Sequence, residues 1–242
     1  MRRPLLPCVF AILLAVTFTA SQAASKCETK EKSSHLYGNR TSLAILINEC
    51  ISDGLVNVTV LIKERRSGGE KTLLALADYF DARFYDIDGD DVPEIDFCDN
   101  WSTANCSHAI YKYSPANGSI RKVFNFDGTS INKFKGYLVS DIKNGAAERS
   151  AQAFKLVDER NLIAESRPRF EITASVSQDE KGGLTCTCRF ATADSAKSLL
   201  IDPPNAAWTK YCFFFGESGP QSCQLTGKGG KVSRVSSPRS SD

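Results

Sequence analysis

The chain has two histidines, one methionine and two tryptophans, and no two of its nine cysteines are spaced as a CxxC pair. Zinc and iron–sulfur sites draw on such pairs or on His-rich clusters, so a metal held by soft ligands is not expected. No GxSxG, HExxH or Cys/His signature occurs either, and His35 and His108 read as surface or packing residues. The expectation is therefore a protein that is not an enzyme. Two-carboxylate glycoside hydrolysis stands as the enzymatic alternative, because its acidic pair need not be close in sequence. Excess charge of either sign is missing too: once Arg2 and Arg3 are set aside with the leader described below, Lys+Arg falls from 30 to 28, equal to the 28 Asp+Glu. That balance argues against nucleic acid and general membrane surfaces as partners. No sequence repeat of fixed period stands out.

Long apolar runs are absent after Phe18. Before it, Arg2 and Arg3 precede an apolar stretch from Leu5 to Phe18 that is too short to span a bilayer, and Ser21 and Ala23 suit cleavage after Ala23. Residues 1–23 read as a secretory signal, and the product as periplasmic or secreted, with no membrane span. Setting Cys8 aside leaves Cys27, Cys50, Cys98, Cys106, Cys186, Cys188, Cys212 and Cys223, an even set that in an exported chain reads as disulfides. Proximity favours Cys27 with Cys50 and Cys98 with Cys106. Cys186 and Cys188, if on one strand, point to the same face and reach toward Cys212 and Cys223 in either combination.

Strand signals dominate what is present. VNVTVLIK alternates Val56, Val58, Val60 and Ile62 with less apolar residues, and further strand-like runs follow at Ser107–Tyr113, Ile120–Phe126, Gly136–Asp141, Ala153–Val157, Arg169–Ser177 and Leu184–Phe190. SPANGS, DERN and QDEKGG carry turn chemistry between them. The expectation is an all-β, antiparallel single domain over residues 24–190, with RTSLAILINECI (Arg40–Ile51) as a short helix. Residues 191–226, with aromatics packed between cysteines, read as a disulfide-stapled C-terminal appendage. Residues 227–242, made mostly of Gly, Ser, Lys and Arg, read as a disordered tail.

The densest chemical signal is FYDIDGDDVPEIDF. Counted from Asp86, carboxylates fall at positions 1, 3 and 5 (Asp86, Asp88, Asp90), the Val92 carbonyl stands at position 7 and Glu94 at position 9. Calcium takes six to eight oxygens, and alternating acids in a tight loop converge on one centre. Asp91 occupies the sixth position, where such loops ordinarily carry glycine, and Asp tolerates the left-handed backbone better than most residues. Nine carboxylates lie between Asp78 and Asp99 with Arg83 as the one cation among them, so a cation from elsewhere is needed. Ca2+ is the expected cofactor, in a structural role. An exposed acidic turn is the simpler alternative.

DIDGDDVPEIDF, SHAIYKYSPANGSIRKVFNF and GYLVSDIKNGAAERSAQAFKLVDERNLIAES follow one another in this order. Over roughly Asp78 to Ser166 the chain resembles the bacterial periplasmic lysozyme-inhibitor-like family. That family includes I-type lysozyme inhibitors and the immunity proteins of a type IV secretion system that delivers cell-wall hydrolases. The resemblance implies a propeller-like or sandwich-like β fold, an EF-hand-like calcium loop at Asp86–Glu94, and a loop inserted into the cleft of a peptidoglycan hydrolase or lysozyme. The nearest match to that loop is SDIKNGAAERS, with Ser140, Lys143, Asn144, Gly145 and Ala146 at its tip and Arg149 behind. Lys143 or Arg149 can pair with catalytic acids. The Ser-Gly followed by Tyr of some relatives is replaced here by Asn144-Gly145, which is also a hairpin-turn signal. The competing function is a calcium-stabilised extracytoplasmic adhesion or structural module.

Overall fold

The computed structural model describes residues 26–37, 41–52, 55–67, 69–77, 79, 81–98, 105–193, 199–214 and 220–237; the expected signal, residues 1–23, lies outside the described residues. Two four-stranded antiparallel meanders come first. One comprises β1 (Lys26–Tyr37), β2 (Thr41–Ser52), β3 (Leu55–Arg66) and β4 (Gly69–Ala77), and the next β5 (Asp81–Tyr85), β6 (Glu94–Cys98), β7 (Cys106–Ser114) and β8 (Ser119–Gly128). The rest of the chain builds one nine-stranded sheet from β9 (Ser130–Phe134), β10 (Tyr137–Lys143), β11 (Glu148–Asp158), β12 (Ile163–Ala164), β13 (Phe170–Gln178), β14 (Leu184–Thr192), β15 (Leu200–Ile201), β16 (Ser222–Thr226) and β17 (Val232–Ser236). Its main path is β17-β16-β14-β13-β11-β10-β9. Every pairing is antiparallel except β14 with β16. The all-β expectation holds, and no sheet closes into a barrel among the described residues.

The sheets lie face to face. Leu43, Ile45, Val60 and Ile62 of the first meet Ala82, Ile95, Phe97 and Ala109 of the second. Ile110, Phe124 and Phe126 on the second sheet's other face meet Ile131, Leu138, Phe154 and Leu156 of the third. Consecutive meanders stacked in this way resemble neighbouring propeller blades. The middle sheet is consequently buried on both faces, and all five residues of β6 are buried. Side chains alternate along a strand, so Ile95 and Phe97 fill the first interface while Glu94 and Asp96 are carried to the opposite face. Gly128 closes β8 at φ 155°, and a side chain there would collide with the Asp141 carbonyl oxygen. A glycine is required where β8 passes this close to β10.

Two expectations are corrected. Arg40–Ile51 is not a helix: residues 41–52 form β2, paired with β1 on one side and β3 on the other. Leu43 and Ile45 face the core, yet Ala44 and Leu46 on the other face are buried as well. An apolar run of this kind hides the period of two. The cysteine-rich stretch is stapled as expected, by Cys186–Cys223 and Cys188–Cys212. The 3-10 helix η1 (Ala206–Cys212) places Trp208, 1% exposed, against Phe134, Tyr137 and Phe170 of the third sheet and beside Tyr211 of η1 itself, and β16 joins β14. Nor is the whole of 227–242 a disordered tail, because Val232–Ser236 pairs with β16 as β17; residues 238–242 lie outside the described residues. Cystine linkage of Cys223 brings the segment to a sheet edge that can accept it.

The remaining bridges, Cys27–Cys50 and Cys98–Cys106, follow proximity. If η1 is part of the core, Trp208→Ala removes about 3–5 kcal/mol of stability, read as a lower chemical-denaturation midpoint with the disulfides intact. An unfolding free energy within about 0.5 kcal/mol of the parent's, by the small-effect standard for surface substitutions, would show η1 to be peripheral.

Candidate metal centre

The acidic loop leaves β5 and re-enters at β6, and its backbone follows from Asp86. Asp86 Oδ1 accepts the N–H groups of Gly89 (2.8 Å) and Asp90 (3.3 Å), and Oδ2 accepts that of Asp91 (3.1 Å). Gly89 (φ 74°) and Asp91 (φ 64°) both take left-handed conformations. Asp91 thus does what glycine does at the sixth position of such loops. The Val92 N–H donates to Asp90 Oδ1 at 2.9 Å, and Tyr37 of the first sheet donates its hydroxyl hydrogen to the Pro93 carbonyl at 2.7 Å, fixing the loop's exit. Near its start Ile87 is buried among the residues between the second and third sheets, and its carbonyl accepts the Lys133 N–H of β9 at 3.0 Å.

Three of the predicted ligands converge. Carboxylate oxygens of Asp86, Asp88 and Glu94 lie within 4.8 Å of one another. Asp90 is not in that group, its Oδ1 being used by Val92, and Val92 enters the loop through its N–H. Glu94 is fully buried; its Oε2 accepts the Ile87 N–H at 3.2 Å and its Oε1 faces the ammonium of Lys112, whereas Asp88 Oδ1 is a buried oxygen without a hydrogen-bond donor. A buried anionic oxygen left without a donor is costly. A hard cation satisfies it by direct coordination, and an all-carboxylate set suits calcium rather than a soft metal. The residues present therefore fit the ion.

The sequence showed Arg83 as the sole cation among these acids, but the fold supplies others from neighbouring strands. Lys112 of β7 places its ammonium 3.1 Å from Glu94 Oε1, 3.5 Å from Asp88 Oδ2 and 3.8 Å from Asp90 Oδ2. Lys32 of β1 pairs with Asp81. Asp96, 2% exposed, receives Arg83 at 2.9 Å and His108 Nδ1 at 2.6 Å, while His108 Nε2 lies 3.2 Å from the Gly128 carbonyl. Both ring nitrogens of His108 thus face oxygen atoms. His108 is a buried pairing residue rather than a surface one. Burial raises the pKa of both Glu94 and Asp88, and Lys112 only partly offsets this. For Lys112, burial alone would lower the value, but Glu94, Asp88 and Asp90 raise it. Lys112 was detectable in principle: in SHAIYKY it alternates with Tyr111 and Tyr113 and so falls on the face of His108 and Ile110.

The second predicted site is divided by the structure. Ser140 is fully buried in β10 and takes no part in an exposed tip, because its side chain is directed into the stack beside Leu138. Lys143, Asn144, Gly145 and Ala146 are exposed at the β10–β11 hairpin, with Arg149 half-buried on β11. The Asn144 amide donates to Ser150 Oγ (2.6 Å) and Glu148 Oε1 (3.1 Å). Asn105 braces the hairpin from outside: its side chain donates to the Lys143 carbonyl at 3.0 Å and accepts the Lys143 N–H at 2.9 Å. Gly145 does not adopt a left-handed φ, and a Cβ there meets nothing within 4 Å.

If calcium is the ion these acids hold, a hundredfold excess over its Kd should raise the thermal midpoint by about 5–10 °C, and Asp86→Ala with Asp88→Ala should abolish the rise. The pH dependence has a definite sign. The raised pKa values of Asp88 and Glu94 make the metal-free folded chain bind protons that the unfolded chain has lost. Its stability therefore falls as pH climbs from the ordinary carboxylate range to the raised values, whereas the calcium increment grows over that window. Scanning calorimetry from pH 4 to 7 with calcium and with chelator checks both slopes; an increment independent of pH would exclude these acids as ligands.

No family model matches the chain, and no curated protein matches it. Among solved structures, a Xanthomonas type IV secretion system related protein is similar over 74% of this chain and 100% of its own, at a TM-score of 0.42 and 11% identity. No helix among the described residues is long and apolar enough to cross a membrane, and the disulfides are compatible with an extracytoplasmic location.

Proposed function

We propose that this protein is an exported, calcium-binding inhibitor or immunity protein that blocks a peptidoglycan-cleaving, lysozyme-like glycosidase by placing the β10–β11 hairpin in its active-site cleft. It acts as a binder and not as an enzyme. The observation that carries the reading is the hairpin itself: Lys143–Ala146 are exposed to solvent, while Asn105 holds the Lys143 backbone and the Asn144 side chain ties the tip to Ser150 of β11. A braced tip loses little conformational freedom when it is bound, which favours affinity. Glycosidase clefts present paired carboxylates, and Lys143 is the cation exposed at the tip. Arg149 is half-buried and close enough to Asp141 to stabilise that carboxylate's charge, so it backs the tip rather than leading it.

Calcium has a structural part in this reading. The acidic loop is fastened to β9 through Ile87 and Lys133, and β9 pairs with β10, the strand that leads to the tip. Ordering the loop therefore steadies the sheet that carries the hairpin. The same anchoring favours a calcium-stabilised structural module as the second reading, since it demands nothing of residues 143–146.

Binding separates the two. The chain without its leader should inhibit a peptidoglycan glycosidase encoded beside it, or a representative lysozyme, with a Kd at or below micromolar. Gly145→Trp, which the open space around Gly145 accommodates, should abolish inhibition without shifting the thermal midpoint. Lys143→Glu should weaken it at least about tenfold, with the loss reduced in high salt. Calcium-dependent stability together with no inhibition of any of these enzymes would leave the structural module.

A further inference from the structure

We infer that Lys112 is a resident competitor for the cation site, and that calcium enters only by driving its ammonium out of the carboxylate cluster. The inference rests on the calcium reading above and concerns how that site is tuned. Three observations carry it. The ammonium is within 4 Å of Asp88, Asp90 and Glu94 together, so it sits at the meeting point of the acids and not beside one of them. Glu94 has one oxygen to offer a cation, because Oε2 is held by the Ile87 N–H, and the other, Oε1, is the one that Lys112 faces at 3.1 Å. Asp86, whose two oxygens also accept loop amides, makes no ion pair with Lys112, so the ammonium engages two of the three converging acids, Asp88 and Glu94, and leaves the third free of it.

A calcium ion bonds to carboxylate oxygens at about 2.3–2.6 Å. An ion held by Asp88 and Glu94 would draw on carboxylates whose oxygens the ammonium faces at 3.5 and 3.1 Å, and two positive charges do not share such a space. Lysine is suited to being displaced: its charge rides on a flexible four-carbon stem, and the Lys112 side chain is 17% exposed, so it has a way out to solvent. The ammonium thereby neutralises the buried acids when calcium is scarce, and weakens calcium binding by the free energy of its own contacts. The device keeps the stack folded over a range of calcium concentrations and moves the site's response toward high calcium. It also discriminates against monovalent ions, which gain too little from the acids to expel a competitor of equal charge.

The test uses the oxidised chain without its leader, with calcium chloride alone as titrant. Lys112→Gln and Lys112→Met should each bind calcium at least tenfold more tightly than the parent by isothermal titration calorimetry. In the parent, acetylation of Lys112 by acetic anhydride, followed by mass spectrometry, should rise severalfold when calcium is added; this reading does not depend on how well the variants fold. Unchanged or weaker binding in both variants, with the parent still binding calcium, overturns the inference and leaves the calcium site standing. Lys112 becoming more protected in calcium also overturns it. Absence of binding in the parent and both variants overturns the calcium site together with the inference.

Discussion

Two carboxylates on one buried face of β6 set the terms for the rest of the molecule. Glu94 is fully buried and Asp96 is 2% exposed, two residues apart on a strand covered from both sides. Desolvating a charge without compensation costs more than a fold of this size can spare. Compensation comes from the neighbouring strand: His108 and Lys112 stand on the facing side of β7, and Arg83 completes the set from β5. The middle sheet therefore contains an acid–base ladder where a sandwich interior would ordinarily be apolar. Its far side, made of Ile95, Phe97 and Ala109, is a conventional core.

This ladder links stability to the candidate sites. Glu94 holds the Ile87 N–H, Ile87 occupies the second interface, and its carbonyl holds β9. At the other end His108 reaches the Gly128 carbonyl, and Gly128 is the point where β8 presses on Asp141 of β10. Both ends of the ladder thus bear on the β9–β10 edge, and β10 runs out into the hairpin. On the proposed function, an ion bound on one side of the stack would stiffen a tip on the other through hydrogen bonds and packing alone, with no moving part.

Much of this architecture was legible in the sequence and some of it was not, for physical reasons. β3 announced itself by period-two patterning and β7, β8, β10, β11, β13 and β14 by strand-like runs between turn signals, and the shared face of Cys186 and Cys188 followed from the period of two. β2 did not, because both of its faces are buried and the alternation vanishes. β17 was hidden because a strand of Val, Ser and Arg becomes stable only when β16 offers its edge, a non-local fact. The acidic loop was visible in its spacing, down to Asp91 taking glycine's place. What was not visible was its partner: Lys112 lies 18 residues beyond Glu94 by the numbering and meets it only through strand pairing. Ser140 was misplaced for a related reason, since a sequence motif gives no sign of where a strand stops and its exposed turn begins.

Amide hydrogen exchange at Ile87 and Lys133 tests the central claim most directly, namely that neutralising the buried acids of β6 orders the loop and fastens it to the third sheet. These two N–H groups bond to Glu94 Oε2 and to the Ile87 carbonyl. Calcium at saturation is predicted to slow exchange at both by at least tenfold relative to chelator while leaving amides of the first sheet unchanged. Equal exchange rates at Ile87 and Lys133 under the two conditions would contradict the account.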